Sequence, residues 1–471
     1  MNIILGNNRY NCIMNGGSRI MKRRNFLGGA VAGSALLGAG ITIDPKSALA
    51  QNRKDPIVQE NGKYDLLLKG GHVIDPANNI NKNNVDVAIA EDKIALVGSN
   101  IPATQAKKTL DMTNLYVTPG FIDIHAHIFY TDDPPNYRWI IADDICWPAG
   151  CTTVVDPGSS GAGTFENLKK IIESSNTRTL ALINNSYTGM DEGEQDPRLF
   201  KVDAMVEVAK KYPQYIVGFK TAHYWGGRPY DDIHTPWAAV DAVVEAGRKT
   251  GLPSMFDFNP RPPIGDYPAR SYRELILERS NPTDIHTHCF AAHIPSITPE
   301  GKVNPDIFKA MDRGFIFDLG HGAGSFVYKH AVPAFEQGYY PNTISTDLHS
   351  HNTNGPVINM SFVMSKMLSL GMSLEDLILR STINPAKAIQ RTDLGSLTVG
   401  GPADVAVFEI LKGNFSYLDT SGGKNYGDQK INNIMTVAEG RIGFDPYGVS
   451  YPYWRDVPKD SRYWRPPAQT W

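Results

Sequence analysis

Apolar, strand-length runs alternate with helix-length runs through the middle of this chain, and this alternation constrains its fold more than any other feature. Helical stretches such as 200–212 and 237–250 separate several of the runs. Repeated strand–helix alternation over about 270 residues is what a barrel of eight parallel strands surrounded by helices requires. The eight candidate strands are 120–127, 152–156, 179–184, 216–221, 254–258, 284–289, 315–319 and 343–347.

Two strand-rich segments flank this middle region. Short strands separated by Asn- and Gly-rich turns occupy 64–115, and a similar stretch returns at 395–408. We therefore predict an α/β protein, a (β/α)8 TIM-like barrel with a small β-sandwich domain built from both chain ends. The predicted boundaries are 62–117 plus 393–445 for the β-sandwich domain, 118–392 for the barrel and 446–471 for an aromatic and Pro-rich tail.

The N-terminal residues 1–50 resemble a twin-arginine export signal, with an extra extension before Met21. Arg23 and Arg24 precede a Gly/Ala-rich, weakly apolar run, and Ala48-Leu49-Ala50 has the form of a cleavage site. The alternative is a membrane anchor, but the run is short and Gly-rich. We therefore expect a periplasmic or secreted protein without stable membrane insertion.

The amino-acid composition restricts the kinds of molecule that this protein is expected to bind. Hydrophobic residues make up 41% of the 471 residues and charged residues 20%, as in a soluble globular protein. The formal net charge of −3 argues against a nucleic-acid partner. The tail at 446–471 is expected to pack on the protein's own surface. A homo-oligomer interface is the alternative, since Tyr, Trp and Arg are favoured at interfaces.

Metal-ligating side chains recur where the candidate strands end, which is where chemistry resides in a barrel of this kind. His125 and His127 end the first strand and point to the same side, because side chains two residues apart share a face. Ordinary alternatives exist, such as surface histidines, a surface lysine or a helix N-cap. As an ordered set on successive strands, the residues instead predict a metal site. The later strands contribute Lys220, Asp257, His288 and Asp347.

Several motifs resemble the amidohydrolase superfamily, and the resemblance extends from Tyr64 to about Phe408. The stretches that carry it are 117–127, 384–388 and 400–408. Within the superfamily the chain is most similar to a deacetylase-like branch, whose members cleave N-acetyl amino acids or acetyl esters of α-hydroxy acids. The stretches similar to that branch are 150–159, 287–290, 318–326 and 345–350.

This resemblance implies two divalent metal ions, with zinc expected and manganese as the alternative. His125, His127 and Asp347 would bind one ion, and His288 would bind the other. Lys220 would bridge both as a carboxylated lysine, because a protonated lysine cannot bind a cation whereas the carbamate is an anion.

One position departs from the family pattern. Asp257 stands where the family has a histidine at the end of the fifth strand. A carboxylate oxygen is an acceptable zinc ligand and suits manganese better than imidazole does. Three outcomes follow: Asp257 binds the second metal, the second site is weak, or His286 helps to fill it.

The implied chemistry is hydrolysis of an amide or ester bond in a small acylated compound. Two close ions hold a bridging hydroxide, because metal binding lowers the pKa of water from about 15.7 toward about 7. The hydroxide attacks the carbonyl carbon, and Asp347 serves as the catalytic base and then the acid. The alternatives are a hydantoinase- or dihydroorotase-like cyclic-amide hydrolase or lactonase, a deaminase, and a catalytically weakened barrel that acts as an interaction scaffold.

Residues that follow the fourth and seventh strands are candidates for substrate binding. Arg228 could hold a substrate carboxylate in bidentate fashion, although a solvent-facing loop arginine is the alternative. The aromatic residues suggest a large or aromatic substrate. The candidates are His223, Tyr224, Trp225, Arg228 and His321.

Overall fold

The computed structural model describes residues 54–130 and 139–457. Its strands are β1 (Ile57–Val58), β2 (Tyr64–Asp75), β3 (Ile80–Ala90), β4 (Lys93–Gly98), β5 (Ala106–Asp111), β6 (Tyr116–Pro119), β7 (Phe121–Asp123), β8 (Cys151–Gly161), β9 (Arg178–Asn184), β10 (Ile216–Thr221), β11 (Ser254–Phe256), β12 (Ile285–His286), β13 (Ile316–Phe317), β14 (Val405–Leu418), β15 (Lys424–Ala438) and β16 (Arg441–Phe444). Its α-helices are α1 (Ala142–Ile145), α2 (Phe165–Ser174), α3 (Val202–Lys211), α4 (Ala238–Thr250), α5 (Tyr272–Glu274), α6 (Pro305–Asp312), α7 (Tyr328–Glu336), α8 (Met360–Ser369), α9 (Leu374–Ser381) and α10 (Ile383–Ala388).

Seven parallel strands, β7 to β13, form one sheet in which each strand pairs with its neighbour in the chain. The segment 343–348 closes the ring. Thr343 forms a parallel bridge with Asp318 beyond β13, and Leu348 forms one with Ala126 beyond β7. The predicted (β/α)8 barrel is therefore confirmed.

The closing segment differs from a regular strand because a side chain takes part in its pairing. Asp123 Oδ1 accepts a hydrogen bond from the backbone N–H of Thr346 at 3.1 Å, and Asp123 Oδ2 accepts one from the Thr346 hydroxyl at 2.5 Å. Burial raises the pKa of Asp123 to about 7, although the bonds from Thr346 lower it. A buried carboxylate therefore joins the first and last segments of the barrel.

Amphipathic helices cover the outside of the barrel. α3 and α4 fall within the stretches 200–212 and 237–250 that the sequence predicted as helical. α4 ends at Gly251, whose φ of 77° is the left-handed conformation that commonly terminates helices. The longest helix of the described chain has 13 residues, and among the residues described none has the length and hydropathy needed to span a bilayer.

The remaining strands form one nine-stranded sheet that contains both ends of the described chain. β6 pairs antiparallel with β14, with Val117 opposite Val407. These two valines share a buried core with Leu68, Val87 and Ile434. Both chain ends thus contribute to one β-structure. Its arrangement as a sandwich and the exact domain limits stay predictions.

Two predicted segments fall wholly or partly outside the described residues. The export signal at 1–50 lies outside them, as do residues 458–471 of the tail. In the described part of the tail, Tyr451 and Trp454 are 67% and 69% exposed. Packing of these two side chains on the protein's own surface is therefore slight.

Candidate functional site

Side chains from the first, sixth and eighth strand positions meet at one end of the barrel. Asp347 Oδ1 lies 3.1 Å from His127 Nε2 and 3.4 Å from His125 Nε2. Asp347 Oδ2 lies 3.4 Å from His288 Nε2. Ligand atoms of His125, His288 and Asp347 all lie within 4.8 Å of one another, close enough to hold a metal ion. The structure thus brings together four of the predicted ligands.

The backbone is strained where two of these residues project inward. His288 and Asp347 have φ values of 61° and 47°, a left-handed conformation that costs an L-residue about 1–3 kcal/mol. Gly322 lies against Asp347, and a Cβ at residue 322 would come within 2.3 Å of Asp347 Oδ2. A larger residue at position 322 would therefore clash with the Asp347 carboxylate in this position.

Hydroxyl groups hold the ring nitrogens of the histidine pair that face away from Asp347. Thr287 donates its hydroxyl proton to Asp318 Oδ2 at 2.8 Å. Its oxygen can therefore only accept a hydrogen bond from His125 Nδ1, which lies 2.8 Å away. His127 Nδ1 is likewise 2.7 Å from Ser159 Oγ. Protonation of Nδ1 leaves the Nε2 lone pair free to bind a metal, the usual arrangement behind metal-bound histidines.

The carboxylate of Asp318 stabilises this arrangement through hydrogen bonds. It accepts hydrogen bonds from the hydroxyls of Thr287, Thr343 and Ser345, at 2.8, 2.6 and 2.7 Å. Burial raises the pKa of Asp318, but its interaction with His125 and the hydroxyl hydrogen bonds hold the pKa below the ordinary aspartate value. Asp318 therefore stays ionised and fixes the orientation of the Thr287 hydroxyl.

Lys220 lies at the end of β10 and is 2% exposed. Burial lowers the pKa of its amine, while the negative charges of Asp257 and Asp347 oppose that shift. Gly158 packs against it, since a Cβ at residue 158 would lie 2.7 Å from Lys220 Cβ. A buried amine with a lowered pKa loses its proton more readily than a surface lysine.

Asp257 follows β11, and its side chain is fully buried. Its Oδ2 lies 3.0 Å from His288 Nδ1 and 2.8 Å from His223 Nε2. His293 approaches the other oxygen, with Nε2 3.8 Å from Oδ1. None of these contacts has hydrogen-bond geometry, and both oxygens of Asp257 and both ring nitrogens of His288 lack a hydrogen-bond partner. Buried polar atoms left in this way fit a cation among them.

Neighbouring charges also shift the pKa values of Asp257 and His288. Burial lowers the pKa of His288, but Asp257 and Asp347 outweigh burial and raise it to about 9. Burial raises the pKa of Asp257, but the charges of His223 and His288 outweigh it and hold the pKa well below the ordinary aspartate value. The carboxylate of Asp257 is therefore anionic and available to a cation.

His286, the alternative ligand considered for the second metal, packs against aromatic side chains. Its ring packs edge-on against Tyr272 at a centroid distance of 5.3 Å and lies 6.2 Å from Phe317. Burial lowers its pKa to about 3. These contacts are aromatic, and His286 is absent from the group of ligand atoms around Asp347.

Two of the predicted substrate-binding residues line a cavity of about 840 Å³ beside the site, namely His223 and Arg228. The guanidinium of Arg228 lies over the Trp225 ring, 5.0 Å from its centroid, and 3.8 Å from the carboxylate of Glu192. Glu194 lines the same cavity, and burial raises its pKa to about 7.

Two of the other three predicted substrate-binding residues, Tyr224 and His321, are buried. Tyr224 is 5% exposed, and its backbone carbonyl accepts a hydrogen bond from Arg270. His321 is fully buried, with Nε2 2.5 Å from Lys366 Nζ and Nδ1 3.0 Å from the carbonyl oxygen of Gly322. The protein thus engages both ring nitrogens of His321, so a substrate would have to displace one of these contacts.

Sequence reasoning missed His293 and Thr287 as parts of this site. His293 lies five residues after His288, in the loop that follows β12. Thr287 is the residue before His288, within the stretch 287–290 that resembles the deacetylase-like branch. That adjacency was the available signal for Thr287, whereas nothing in the sequence placed His293 beside Asp257.

This chain is similar to known proteins both in sequence and in structure. Residues 330–441 match the Amidohydrolase family. A deacetylase of Agrobacterium fabrum is 32% identical, over 72% of this chain and 82% of its own length. A deacetylase of Enterococcus faecalis is 29% identical, over 80% of this chain and 99% of its own length. The crystal structure of an adenine deaminase is similar with a TM-score of 0.70 and 27% identity, and the match covers 81% of this chain and 100% of the deaminase.

Proposed function

The chain belongs to the amidohydrolase superfamily as a hydrolase acting on C–N bonds, and on this basis we propose that it removes an acyl group from a small acylated compound. An N-acyl amide is the expected substrate, with an acyl ester as the related class. The deacetylases of Agrobacterium fabrum and Enterococcus faecalis favour this choice over ring opening or deamination.

One observation carries the proposal. The carboxylate of Asp347 lies 3.1 to 3.4 Å from nitrogens of three different histidines, His125, His127 and His288. Imidazole nitrogens and carboxylate oxygens are ligands that divalent zinc prefers, and carboxylates also suit manganese. Asp257 and Lys220 would complete a site for two ions.

Ions held there would act as Lewis acids on the substrate carbonyl and would lower the pKa of water, which supplies the nucleophile for hydrolysis. The side chains have separate tasks. The imidazole of His125 presents its Nε2 lone pair, because the Thr287 hydroxyl donates to Asp318 and can only accept from His125 Nδ1. Asp347 accepts the proton of the attacking water at a carboxylate oxygen and donates it to the departing nitrogen or oxygen.

Lys220 is proposed to react with CO2 before it takes part in the site. Its neutral amine forms an N–C bond to the carbon of CO2, and the nitrogen releases one proton to water. The product is a carbamate anion. Burial lowers the pKa of Lys220 and therefore increases the fraction of reactive neutral amine.

A periplasmic or secreted location is also proposed, on the strength of Arg23, Arg24 and the run that follows them. Replacement of both arginines with lysine should leave precursor in the cytoplasm. Unchanged export of that variant would contradict the twin-arginine route.

The test of the enzymatic proposal is a substrate screen of the purified full chain, reconstituted with Zn²⁺ or Mn²⁺. The panel contains N-acetyl amino acids, acetyl esters of α-hydroxy acids, hydantoins, dihydroorotate, lactones and adenine. We expect acetate release from open-chain acyl compounds and loss of that release after chelation.

Other outcomes would change the assignment. Turnover of hydantoins, dihydroorotate or lactones alone would make the protein a cyclic-amide hydrolase or lactonase. Ammonia release from adenine alone would make it a deaminase. Absence of both metal binding and turnover would favour the interaction scaffold.

A further inference from the structure

We propose that His223 is a ligand of the second metal ion, together with Asp257. The inference rests on the proposed function, since it needs a site for two ions. It assigns His223 to the metal centre, whereas the sequence alone suggested contact with substrate.

The first argument comes from the unsatisfied state of Asp257. Its carboxylate has no exposed surface, and neither oxygen accepts a hydrogen bond. An ionised carboxylate in that position is costly unless a cation or a hydrogen-bond donor compensates it. The nearest atom that could share a cation with it is Nε2 of His223, 2.8 Å from Oδ2.

The second argument concerns the geometry of that contact. Ligand atoms bound at about 2.0–2.2 Å to one ion lie roughly 3 Å apart when they occupy neighbouring positions. The separations from Asp257 Oδ2 to His223 Nε2 and to His288 Nδ1, 2.8 and 3.0 Å, have this size. Because neither contact has hydrogen-bond geometry, these distances fit shared coordination better than a simple hydrogen bond.

The third argument is the route by which His223 reaches the site. It lies three residues beyond Lys220, just past the end of β10, so one strand end delivers both side chains. Its φ of 38° turns the chain at this point. Its ring lies nearly parallel to that of His288, at an interplanar angle of 17° and a centroid distance of 6.1 Å. Its side chain is 60% exposed, which leaves it free to adjust to an ion.

The test measures metal content in the full chain after reconstitution with Zn²⁺ alone or Mn²⁺ alone, followed by desalting and elemental analysis. We expect two ions per wild-type chain and one in His223→Ala, with the second-ion dissociation constant raised at least about 10-fold. Imidazole added to His223→Ala should restore the second ion, because it can occupy the exposed position. His223→Gln provides a second variant of similar bulk if His223→Ala unfolds.

Two matched variants give the comparison. His234→Ala removes a histidine of the same loop, which contacts Asp231 and Trp225 rather than Asp257. We expect it to retain both ions. His293→Ala removes the other nearby imidazole, 3.8 Å from Asp257 Oδ1, and is also expected to retain both ions.

The results separate this inference from the proposed function. Two ions retained in His223→Ala, or loss of an ion in His293→Ala alone, would overturn the assignment of His223 and leave the hydrolase proposal intact. Hydrolysis of acyl compounds by a wild-type chain that binds a single ion would also overturn the assignment of His223 and leave the hydrolase proposal intact. A wild-type chain that binds no ion would refute both.

Discussion

Thr287→Val would remove one hydroxyl group from the interior of the site while keeping the shape of the side chain. The hydroxyl accepts from His125 Nδ1 and donates to Asp318 Oδ2, each at 2.8 Å. After the change, His125 is free to rotate or to adopt the other tautomer, in which Nε2 carries the proton. We therefore expect weaker metal binding although no ligand has been changed.

The magnitude follows from the two hydrogen bonds that the Thr287 hydroxyl makes. Loss of a partner behind a metal-bound histidine typically weakens metal binding about 10- to 100-fold, which equals about 1.4–2.7 kcal/mol. The metal-free protein also loses stability, since a buried group left without its hydrogen bond costs about 1–3 kcal/mol. Competition with a chromophoric chelator measures the first quantity, and urea unfolding of the metal-free protein measures the second.

Thr343→Val is the matched control. Thr343 is buried like Thr287 and donates to the same carboxylate, at Oδ1 and 2.6 Å, but its hydroxyl bonds to Asp318 rather than to His125. Both variants should lose similar stability, and only Thr287→Val should lose metal affinity. Equal metal affinities in the two variants would refute the role assigned to Thr287.

Three further substitutions test the metal ligands. Lys220→Ala should abolish turnover and lower metal content, and short carboxylic acids should restore part of the activity by replacing the carbamate; full metal content and rate would exclude the bridge. Asp347→Asn keeps an oxygen ligand but cannot accept the proton of water, so kcat should fall about 10²–10⁴-fold; a rate within about tenfold of wild type would place the base elsewhere. Asp257→Ala should lose one ion, as measured by elemental analysis, and keep the ion held by His125, His127 and Asp347; two ions retained would mean that Asp257 is no ligand.

The barrel could be predicted from the sequence because its strands are short buried runs between amphipathic helices. Strand β9 at Arg178–Asn184 and helix α4 at Ala238–Thr250 each lie within one residue of the predicted limits. The eighth strand could not be predicted in detail. The side chain of Asp123 accepts a hydrogen bond from the backbone of this strand. Sequence periodicity does not reveal that a side chain replaces a backbone partner.

Part of the site could be predicted for a similar reason. The chain order of the strands fixes where His125, His288 and Asp347 project, so their convergence follows from the barrel. The loops are different, because their paths depend on contacts distant in sequence. His293 and His223 come together around Asp257 only in three dimensions. The contact between His321 and Lys366 likewise depends on how helix α8, which carries Lys366, packs.

The junction at which the barrel closes has a consequence for folding. It joins Asp123 and Thr346, which are 223 residues apart in the chain, and the neighbouring residues His125 and Asp347 are the proposed ligands on its two sides. An unfolded chain cannot offer such a site, so an ion bound there adds its binding energy to folding. At a free metal concentration of 100 times the dissociation constant, this linkage is worth about 2.7 kcal/mol. Metal supply would then set not only the activity of the protein but also the temperature at which the barrel opens.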